Sequence, residues 1–446
     1  MSPTNWRSRI HGLVADPDGL VLLLPSERGW MLPCVEVEGY AENDLRPATR
    51  ALGELLGAPV TILRYADRAS DTTRHSLEVV YVLECPGLDE TPPGAEWAGP
   101  ETLVGFTLAE LRHREILDRH LREVEQRAVP AQRVPWAREG WLAEASDWIE
   151  ESLASHGRPP TGRIEQFRAW CLSCLLRVPT ADGAVFFKAT VDSPLFVDEG
   201  AVMGGLARLF PENVPMPLAV DAQRRWMLLD DFGPELDWNA PLDVREEVLR
   251  LFAGMQVESS RHSSELLALG CVDRRLGWLA PQIRDLLADD ASLAGLEDGE
   301  VTTLRALGPK IDAMCAGLDE SGVPDALVHG DLHLSNVARL DGRYVFYDWT
   351  DAGVTHPFFD LIDVFREQDD AVRERLRHAY LSVWLDYEPM DRLLELWRDA
   401  EPLALLHHAV SYRHILANVE PGAGQELEWA LPFFLRKVLA VETIAP

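Results

Sequence analysis

The sequence has few basic residues relative to acidic ones. Asp and Glu number 73 against 42 for Lys and Arg, which gives the 446 residues a formal net charge of −31. A surface of this sign repels the phosphates of nucleic acids and anionic lipid headgroups. We therefore predict that neither nucleic acid nor a membrane surface is a partner, whereas metal ions and polyamine-like molecules would be attracted.

Long apolar runs are also missing. No stretch reaches the roughly 18 apolar residues of a membrane span. The first residues, MSPTNWRSRIHGLVADPDG, contain no sustained apolar segment, because Asp16 and Asp18 interrupt it. The sequence predicts a soluble, cytoplasmic protein.

Cysteines are few and scattered. Only Cys171 and Cys174 form a C-x-x-C pair, and no second pair or histidine partner lies nearby. This spacing argues against a metal or redox centre at the pair. Reduced, buried thiols in a cytosolic protein fit the pattern better.

The order of short apolar runs and amphipathic stretches predicts three parts. Residues 1–128 alternate strand-like and helical segments, and Pro130 and Pro135 then mark a boundary that we expect few contacts to cross. Residues 136–231 predict a mixed sheet with one inserted helix, and residues 232–446 are mainly helical. We expect an α+β fold.

Polar groups are concentrated in LVHGDLHLSN, residues 327–336. A turn between two core elements is one explanation, and a catalytic loop is the other. Asp331 and Asn336 stand five residues apart, and Asp348 follows twelve residues later at the end of a predicted strand. Phosphoryl transfer needs this set: a group that accepts or orients the hydroxyl proton, and oxygen ligands for the metal ions that hold the nucleotide phosphates.

HGDLHLSN followed by YDWTDAGVTHPFFDL resembles the aminoglycoside phosphotransferase and choline kinase superfamily, also called the phosphotransferase enzyme family. The resemblance covers about residues 136–446. Gly330 replaces the Arg of the protein-kinase H-R-D loop, DW replaces D-F-G, and no A-P-E follows. These departures favour small-molecule kinases. The resemblance implies a two-lobed protein-kinase-like fold with a mixed or antiparallel N-lobe and a helical C-lobe.

The resemblance also implies residue roles. Asp331 would be the catalytic base or the group that orients the acceptor hydroxyl. Asn336 and Asp348 would bind Mg²⁺, and ATP would be the phosphate donor. His329 would brace the loop, and His333 has no role in the family pattern.

On the nucleotide side, the resemblance makes Lys188 the ATP-binding lysine and Glu199 its ion-pair partner, with Asp198 adjacent to it as the alternative. No G-x-G-x-x-G is present. Ser173 could donate to a phosphate, or it could be an ordinary strand serine. The segment WMLLDDF, residues 226–232, matches the adenine-binding hinge and includes Leu228 and Asp230, although core packing predicts the same apolar residues.

The N-terminal part carries a weaker resemblance. GWMLPCVEVEGYAENDLRPATRALGELLGAP resembles a degenerate Nudix box. Arg50, Glu54 and Gly57 keep the spacing, whereas Ala51 and Leu55 stand at two expected glutamates. One remaining carboxylate is too few for the metal ions of diphosphate hydrolysis. We expect a Nudix-like domain without hydrolase activity, and an ordinary accessory α/β domain is the alternative.

These observations predict an ATP-dependent O-phosphotransferase that acts on a hydroxyl of a neutral or cationic small molecule, such as an aminoglycoside, another antibiotic or an amino alcohol. The charge part of this prediction rests on clustered acids in the helical region, which could also be a solvated face. They include Asp285, Asp289, Asp290, Glu297, Asp298 and Glu300. Two alternatives stay open: a nucleotide-binding pseudokinase, and a diphosphate hydrolase acting from the first domain.

Overall fold

The computed structural model describes residues 6–16, 18–88, 90–126 and 129–441. The chain divides into two compact units, the first formed by residues 1–191 and 419–425 and the second by residues 192–418 and 426–446. The predicted boundary residue 128 and both chain ends lie outside the described residues. The three predicted domains therefore stay a prediction, and the division into compact units falls at a different place.

The first unit contains strands and helices in alternation. Its strands are β1 (Arg7–Val14), β2 (Val21–Ser26), β3 (Gly29–Met31), β4 (Cys34–Glu38), β5 (Thr61–Asp71), β6 (Ser76–Glu84), β7 (Glu96–Ala98), β8 (Glu165–Ala169), β9 (Ser173–Thr180) and β10 (Gly183–Thr190). Its helices are α1 (Arg46–Leu56), α2 (Pro100–Leu103), α3 (Arg112–Gln126) and α4 (Trp141–Ser155).

A four-stranded sheet organises residues before the predicted boundary. Its strand order is β4-β1-β6-β5, with β1 parallel to β6 and antiparallel to β4. The apolar spacing of residues 46–56 predicts a helix, and α1 has these bounds. It buries Ala48, Leu52 and Leu56, which are spaced four residues apart on one face. Leu55, which would share this face by helical spacing, is instead 40 % exposed.

Strands β8, β9 and β10 form an antiparallel meander. The residues PTADG, 179–183, predict a hairpin turn between two strands. This turn is present, since Thr180 pairs with Gly183 across a two-residue loop. The run AWCLSCLLRV, expected to be one strand, is interrupted between Ala169 and Ser173. Cys171 and Cys174 are buried free thiols at this bend, and burial raises the pKa of the Cys174 thiol.

Hydrogen bonds cross the expected boundary within the first unit. The side-chain amide of Gln166 on β8 accepts from the Ile62 N–H at 2.9 Å and donates to the Ile62 carbonyl at 2.7 Å. The Leu45 N–H donates to the Phe167 carbonyl at 2.9 Å. Hydrogen bonds therefore join residues on the two sides of the segment 128–136, where the sequence predicts few contacts, and the predicted boundary stays a prediction.

The second unit is mainly helical, as predicted for residues 232–446. Its helices are α5 (Glu199–Leu209), α6 (Leu242–Ser259), α7 (Ser263–Leu269), α8 (Leu276–Ala288), α9 (Asp298–Ala306), α10 (Gly308–Asp319), α11 (Ile362–Arg366), α12 (Asp370–Leu381), α13 (Met390–Asn418) and α14 (Ala430–Ala440). Its strands are β11 (Ala219–Asp221), β12 (Trp226–Asp230), β13 (Val272–Asp273), β14 (Ala326–Val328), β15 (Val337–Leu340), β16 (Arg343–Phe346) and β17 (Gly353–Thr355).

Short strands in this helical unit carry the polar loops. Strand β17 pairs antiparallel with β14 and parallel with β13, and β15 pairs with β16 as a hairpin. A large apolar core lies beside them and includes the buried rings of Phe358, Tyr380 and Trp384. The combination of separate sheets and helices confirms the α+β class. Across the described ranges, no helix combines the length and apolar character that a membrane crossing needs.

Candidate functional site

The loop that follows β14 requires glycine at position 330. Gly330 has φ +82°, and a Cβ there would lie 2.4 Å from the Asp351 carbonyl oxygen and 2.6 Å from the Asp351 Cβ. Any side chain would push this loop away from the turn after β16. The sequence departure from the Arg of protein kinases therefore has a steric reason in this chain.

Asp360 fixes the backbone of the same loop. Its carboxylate accepts the N–H groups of His329 and Gly330, each at 2.7 Å, and the Gln256 side-chain amide at 3.2 Å. Burial raises the pKa of Asp360, and the two N–H donors lower it by less, so that the pKa is about 7. With its oxygens occupied by the loop backbone, Asp360 acts as a structural group.

His329 joins the Asp331 loop to the Asp348 turn. Its ring is fully buried, its Nε2 donates to the Tyr347 carbonyl at 2.8 Å, and it packs 4.6 Å from the Trp349 ring. The bracing contact that the sequence predicts for His329 is thus present. The two polar loops are positioned relative to each other before any ligand binds.

Asn336 is oriented by its own loop. Its side-chain Nδ2 donates to the Asp331 backbone carbonyl at 2.9 Å. The Asn336 backbone carbonyl accepts the Tyr347 N–H at 3.1 Å. The residue is only 5 % exposed. Because Nδ2 is used by the backbone, the amide oxygen points the other way and is available as a neutral ligand for a hard cation such as Mg²⁺.

Asp348 stands at the end of β16 in an unusual backbone conformation. Its φ and ψ are 64° and 56°, in the left-handed region, where residues other than glycine are uncommon. The Thr350 hydroxyl lies 3.1 Å from its Oδ1. Backbone strain of this kind is concentrated at functional sites, where the surrounding structure holds it in place.

Glu199 holds the turn that carries Asp348. It is 1 % exposed, accepts the Trp349 N–H at 3.1 Å and lies 2.9 Å from the Thr350 hydroxyl. The single hydroxyl proton of Thr350 can serve only one of its two carboxylate neighbours at a time. Asp198, the alternative to Glu199, is the N-cap of α5, where it accepts the Ala201 N–H at 3.2 Å.

His333 contacts Asp331, although the sequence assigns it no role. Its Nε2 lies 3.4 Å from Asp331 Oδ2, and its ring stacks on Trp238 with centroids 5.1 Å apart. Burial raises the pKa of Asp331, but the His333 hydrogen bond and charge lower it more, so the net shift is downward. The Asp331 side chain is 51 % exposed, so water screens these effects. For His333, burial lowers the pKa, but the hydrogen bond and charge of Asp331 raise it by more. The net shift of the His333 pKa is therefore upward.

Two side chains on α13 face the same charges and were not found from the sequence. Burial, with the negative charges of Asp331 and Asp351, raises the pKa of Tyr412. Burial lowers the pKa of His408 to about 4. His408 and Tyr412 both stack on the Phe434 ring, with ring centroids 5.1 and 5.5 Å from it. Their distance along the chain from Asp331 leaves no spacing pattern that could have indicated them.

Two of the predicted nucleotide-binding residues belong to the first compact unit. Lys188 lies on β10, opposite Leu175 of β9, and is 8 % exposed. The Ser173 hydroxyl oxygen accepts the Trp170 indole N–H at 2.8 Å. Ser173 therefore helps to form the bend before β9, and its own O–H is still able to donate.

The predicted hinge residues lie on β12 in the second unit. Leu228 is fully buried, and Asp230 ends the strand as an exposed residue. In the first unit, Glu42, which also fits the Nudix spacing, forms an ion pair with Arg68 at 2.6 Å. Glu54 on α1 is exposed. The described carboxylates of the segment that resembles a Nudix box are thus not assembled as a metal-binding group.

Residues 193–393 match the model of the phosphotransferase enzyme family. This range contains Asp331, Asn336 and Asp348, and it confirms the predicted enzyme class, a phosphotransferase. No curated protein matches the chain.

Three solved structures are among those similar to this chain. A Plasmodium vivax ethanolamine kinase is 12 % identical with a TM-score of 0.50, covering 75 % of this chain and 96 % of its own. A choline/ethanolamine kinase family protein from Mesorhizobium loti is 16 % identical with a TM-score of 0.48, covering 66 % and 94 %. A spectinomycin phosphotransferase, solved with ADP and spectinomycin, is 9 % identical with a TM-score of 0.43, covering 66 % and 98 %. The first of these likenesses confirms the predicted kinase-like fold.

Proposed function

We propose that the chain transfers the γ-phosphate of ATP to a hydroxyl group of a small molecule. The observation that carries the proposal is the pair of hydrogen-bonded loops on which Asp331, Asn336 and Asp348 lie. The Asn336 amide is held by the Asp331 backbone, and the Tyr347 N–H next to Asp348 is held by the Asn336 backbone. Phosphoryl transfer depends on positioning and charge more than on covalent chemistry, and a pre-assembled loop pair provides the positioning.

Asp331 orients the acceptor hydroxyl. The His333 contact lowers the pKa of Asp331, so the carboxylate is ionised at neutral pH and is a weak proton acceptor in the ground state. A charged carboxylate that accepts a hydrogen bond directs the hydroxyl lone pair toward the phosphorus. As the new O–P bond forms, the bond from the γ-phosphorus to the β–γ bridging oxygen breaks and ADP leaves, and the hydroxyl proton passes to the Asp331 carboxylate late in this step.

The Asn336 amide oxygen and the Asp348 carboxylate would hold Mg²⁺. Both are oxygen ligands, and Asp348 supplies the negative charge that a hard divalent cation requires. When bound, the metal ion neutralises charge on the β- and γ-phosphates. Glu199 and Thr350 keep the Asp348 turn in the conformation that presents this carboxylate.

Other residues are proposed for the nucleotide. Lys188 binds the α- and β-phosphates, with Glu199 as its partner, and Ser173 donates its hydroxyl proton to a phosphate oxygen. The β12 backbone around Leu228 and Asp230 binds adenine. The family resemblance supports these roles. The burial of Lys188 also supports them, because an ammonium group is rarely placed in the interior without a function or a partner.

The acceptor is proposed to be neutral or cationic. Asp331 and Asp351 bring two carboxylates to the loops, and the chain carries a net charge of −31. Arg274 is 1 % exposed and lies 3.2 Å from His407, and its positive charge interacts with Asp351 and Asp360 and so offsets part of the negative charge. The remaining negative field would concentrate an amine-bearing acceptor and repel a sugar phosphate.

The first compact unit is proposed to contain a Nudix-like domain that lacks hydrolase activity. The exposed, isolated Glu54 and the Arg68-paired Glu42 support the loss of activity. The six free thiols agree with a reducing compartment, and we place the protein in the cytoplasm.

A substrate screen tests the central proposal. Amino alcohols, aminoglycosides, other antibiotics and neutral sugars are supplied with Mg²⁺–ATP, and acceptor-dependent ADP release is measured. The proposal expects at least one neutral or cationic acceptor to release ADP and to gain a phosphate. ATP binding without release in the whole screen would favour the pseudokinase, and diphosphate cleavage would favour the hydrolase.

Labelling tests the nucleotide residues separately. Lys188 is one of three lysines in the chain, with Lys310 and Lys437. An adenosine analogue with a lysine-reactive sulfonyl fluoride should label Lys188, and ATP should protect it. Lys310 and Lys437 are internal controls whose labelling ATP should leave unchanged. Protection at either control instead of Lys188 would refute the assignment.

A further inference from the structure

The first compact unit contains a group of metal-ligating side chains that the proposed reaction does not use. One ligand atom from each of His11, Glu78 and His113 lies within 4.8 Å of the other two. The residues come from three elements, β1, β6 and α3. They are separate from the carboxylates of the degenerate Nudix box on and beside α1.

The sheet register explains why the three side chains meet. Arg9 pairs with Glu78 and His11 with Val80 in the parallel β1–β6 ladder. Residues two apart on a strand point to the same face, so His11 lies next to Glu78 on that face. The His11 Nε2 and the Glu78 Oε1 are 3.1 Å apart, and the rings of His11 and His113 meet edge to face at 4.5 Å.

Both imidazoles are buried and incompletely hydrogen bonded. His11 is fully buried and His113 is 1 % exposed. Among the described residues, neither ring nitrogen of His113 has a hydrogen-bond partner, nor does Nδ1 of His11. Burying polar nitrogens without partners is unfavourable, and a metal ion would use their lone pairs. Burial also lowers the pKa of both imidazoles, to about 3 and about 4, which keeps them neutral and able to bind a cation.

We propose that His11, His113 and Glu78 form a binding site for a transition-metal ion of the Zn²⁺ class. Two imidazoles and one carboxylate are a ligand set that Zn²⁺ accepts, with a fourth position for water or another group. In a tetrahedral Zn²⁺ site, bond lengths of about 2.0–2.2 Å place the ligand atoms about 3.3–3.6 Å apart. Side-chain rotations that bring the present atoms about 1 Å closer would complete the geometry.

Neighbouring charges and a cavity fit the proposal. Arg112 lies 2.7 Å from Glu78 and Arg9 lies 3.9 Å from it, so Glu78 would share its carboxylate between these cations and the metal. Glu110, 3.2 Å from Arg9, compensates part of the positive charge. The Cys34 sulfur lies 4.0 Å from the His11 Nε2, and Cys34 and Arg9 also line a surface cavity of about 350 Å³ beside the group.

Helix α3 also offers a matched control. His120 is 8 % exposed, and neither of its ring nitrogens has a hydrogen-bond partner among the described residues. It does not belong to the three-residue group. A comparison of His113→Phe with His120→Phe therefore separates the proposed site from the general effect of replacing a buried histidine on this helix.

Zn²⁺ titration of the chelator-treated full-length chain tests the proposal. The titration is followed by calorimetry with Mg²⁺ in excess, so that Asn336 and Asp348 are not free to bind Zn²⁺. We expect one equivalent per chain and a rise in Tm. Loss of a residue that hydrogen bonds to a metal ligand costs about 10–100-fold in metal affinity. Loss of a ligand itself in His113→Phe should therefore cost at least about 10²-fold in Zn²⁺ affinity. His120→Phe should bind as the parent chain does.

Three results would overturn the proposal. They are no Zn²⁺ binding at micromolar concentration, unchanged Zn²⁺ binding by His113→Phe, or loss of Zn²⁺ binding in Asp348→Ala instead of in His113→Phe. If His113→Phe does not fold, Glu78→Gln is the second variant. The Glu78 side chain is 30 % exposed, and its replacement keeps the size of the residue. Glu78→Gln should lose Zn²⁺ affinity while its circular dichroism spectrum stays that of the parent chain.

Discussion

Replacing Gly330 with alanine should separate local strain from damage to the catalytic loop. Gly330 and Gly342 share φ +82°, but only Gly330 is closely packed. A Cβ at position 330 would lie 2.4 Å from the Asp351 carbonyl oxygen, whereas a Cβ at 342 would meet no described heavy atom within 4 Å. Gly342→Ala is thus a control with the same backbone conformation and no collision.

The expected magnitudes follow from these two terms. Left-handed backbone costs a residue with a side chain about 1–2 kcal/mol, which both variants bear. Forcing an extra methyl into a packed position costs about 1–3 kcal/mol more, which only Gly330→Ala bears. We therefore expect Gly342→Ala to lose about 1–2 kcal/mol and Gly330→Ala about 2–5 kcal/mol.

Activity should separate the variants further. The collision moves the backbone next to Asp331, and misplacement by about 1 Å can cost about 10²-fold in rate. Urea unfolding and acceptor-dependent ADP release are measured on both variants. Equal stability and equal turnover in the two would show that the approach of Asp351 to the loop does not constrain the site.

Three further predictions concern the metal ligands, His333 and the first 128 residues. Asn336→Ala and Asp348→Ala should weaken ATP binding chiefly when Mg²⁺ is present, and equal losses without Mg²⁺ in an ATP titration would indicate a structural role instead. The raised pKa of His333 means that its contribution to folding stability is complete below its unfolded-state pKa and is lost as pH rises through the folded-state value. In urea unfolding, the stability difference between the parent chain and His333→Asn should therefore be larger at pH 6 than at pH 9, and an equal difference at the two pH values would contradict this reasoning. Deleting residues 1–128 should lower the Tm of the remaining chain, because Gln166 loses both hydrogen bonds to Ile62, and an unchanged Tm would contradict the contacts seen here.

The sequence was sufficient to locate the two polar loops of the proposed site. Asp331, Asn336 and Asp348 lie within eighteen residues of one another, so their chemistry appears as a local pattern. The same holds for the β9–β10 hairpin, whose turn is encoded by adjacent residues, and for the bounds of α1. Short-range hydrogen bonding and helical periodicity determine these features, and both are visible in a single sequence.

Contacts between distant segments could not be predicted in the same way. Glu199 contacts Trp349 across 150 residues, and Gln166 contacts Ile62 across 104. Tertiary packing brings these residues together, and no spacing rule relates them. The interruption of the expected strand before Ser173 is a different case, since it depends on the Trp170 indole bond to the Ser173 hydroxyl.

The proposed metal ligands of the first unit could not be predicted from the sequence for the same reason. His11 and Glu78 are 67 residues apart, far from the close spacings that indicate metal ligands in sequences. Only the parallel register of β1 and β6 places them side by side. A metal site of this type is visible only after the sheet has been assembled.

The most direct test of phosphoryl transfer is the turnover of Asp331→Asn with an acceptor from the screen. The amide keeps the shape of the carboxylate but removes its charge, so the fold and Mg²⁺–ATP binding should persist while acceptor-dependent ADP release falls by about 10²–10⁴-fold. Asp341→Asn, at an exposed turn residue with φ 50° that asparagine tolerates, is the control and should retain activity. Near-normal turnover by Asp331→Asn would contradict the account.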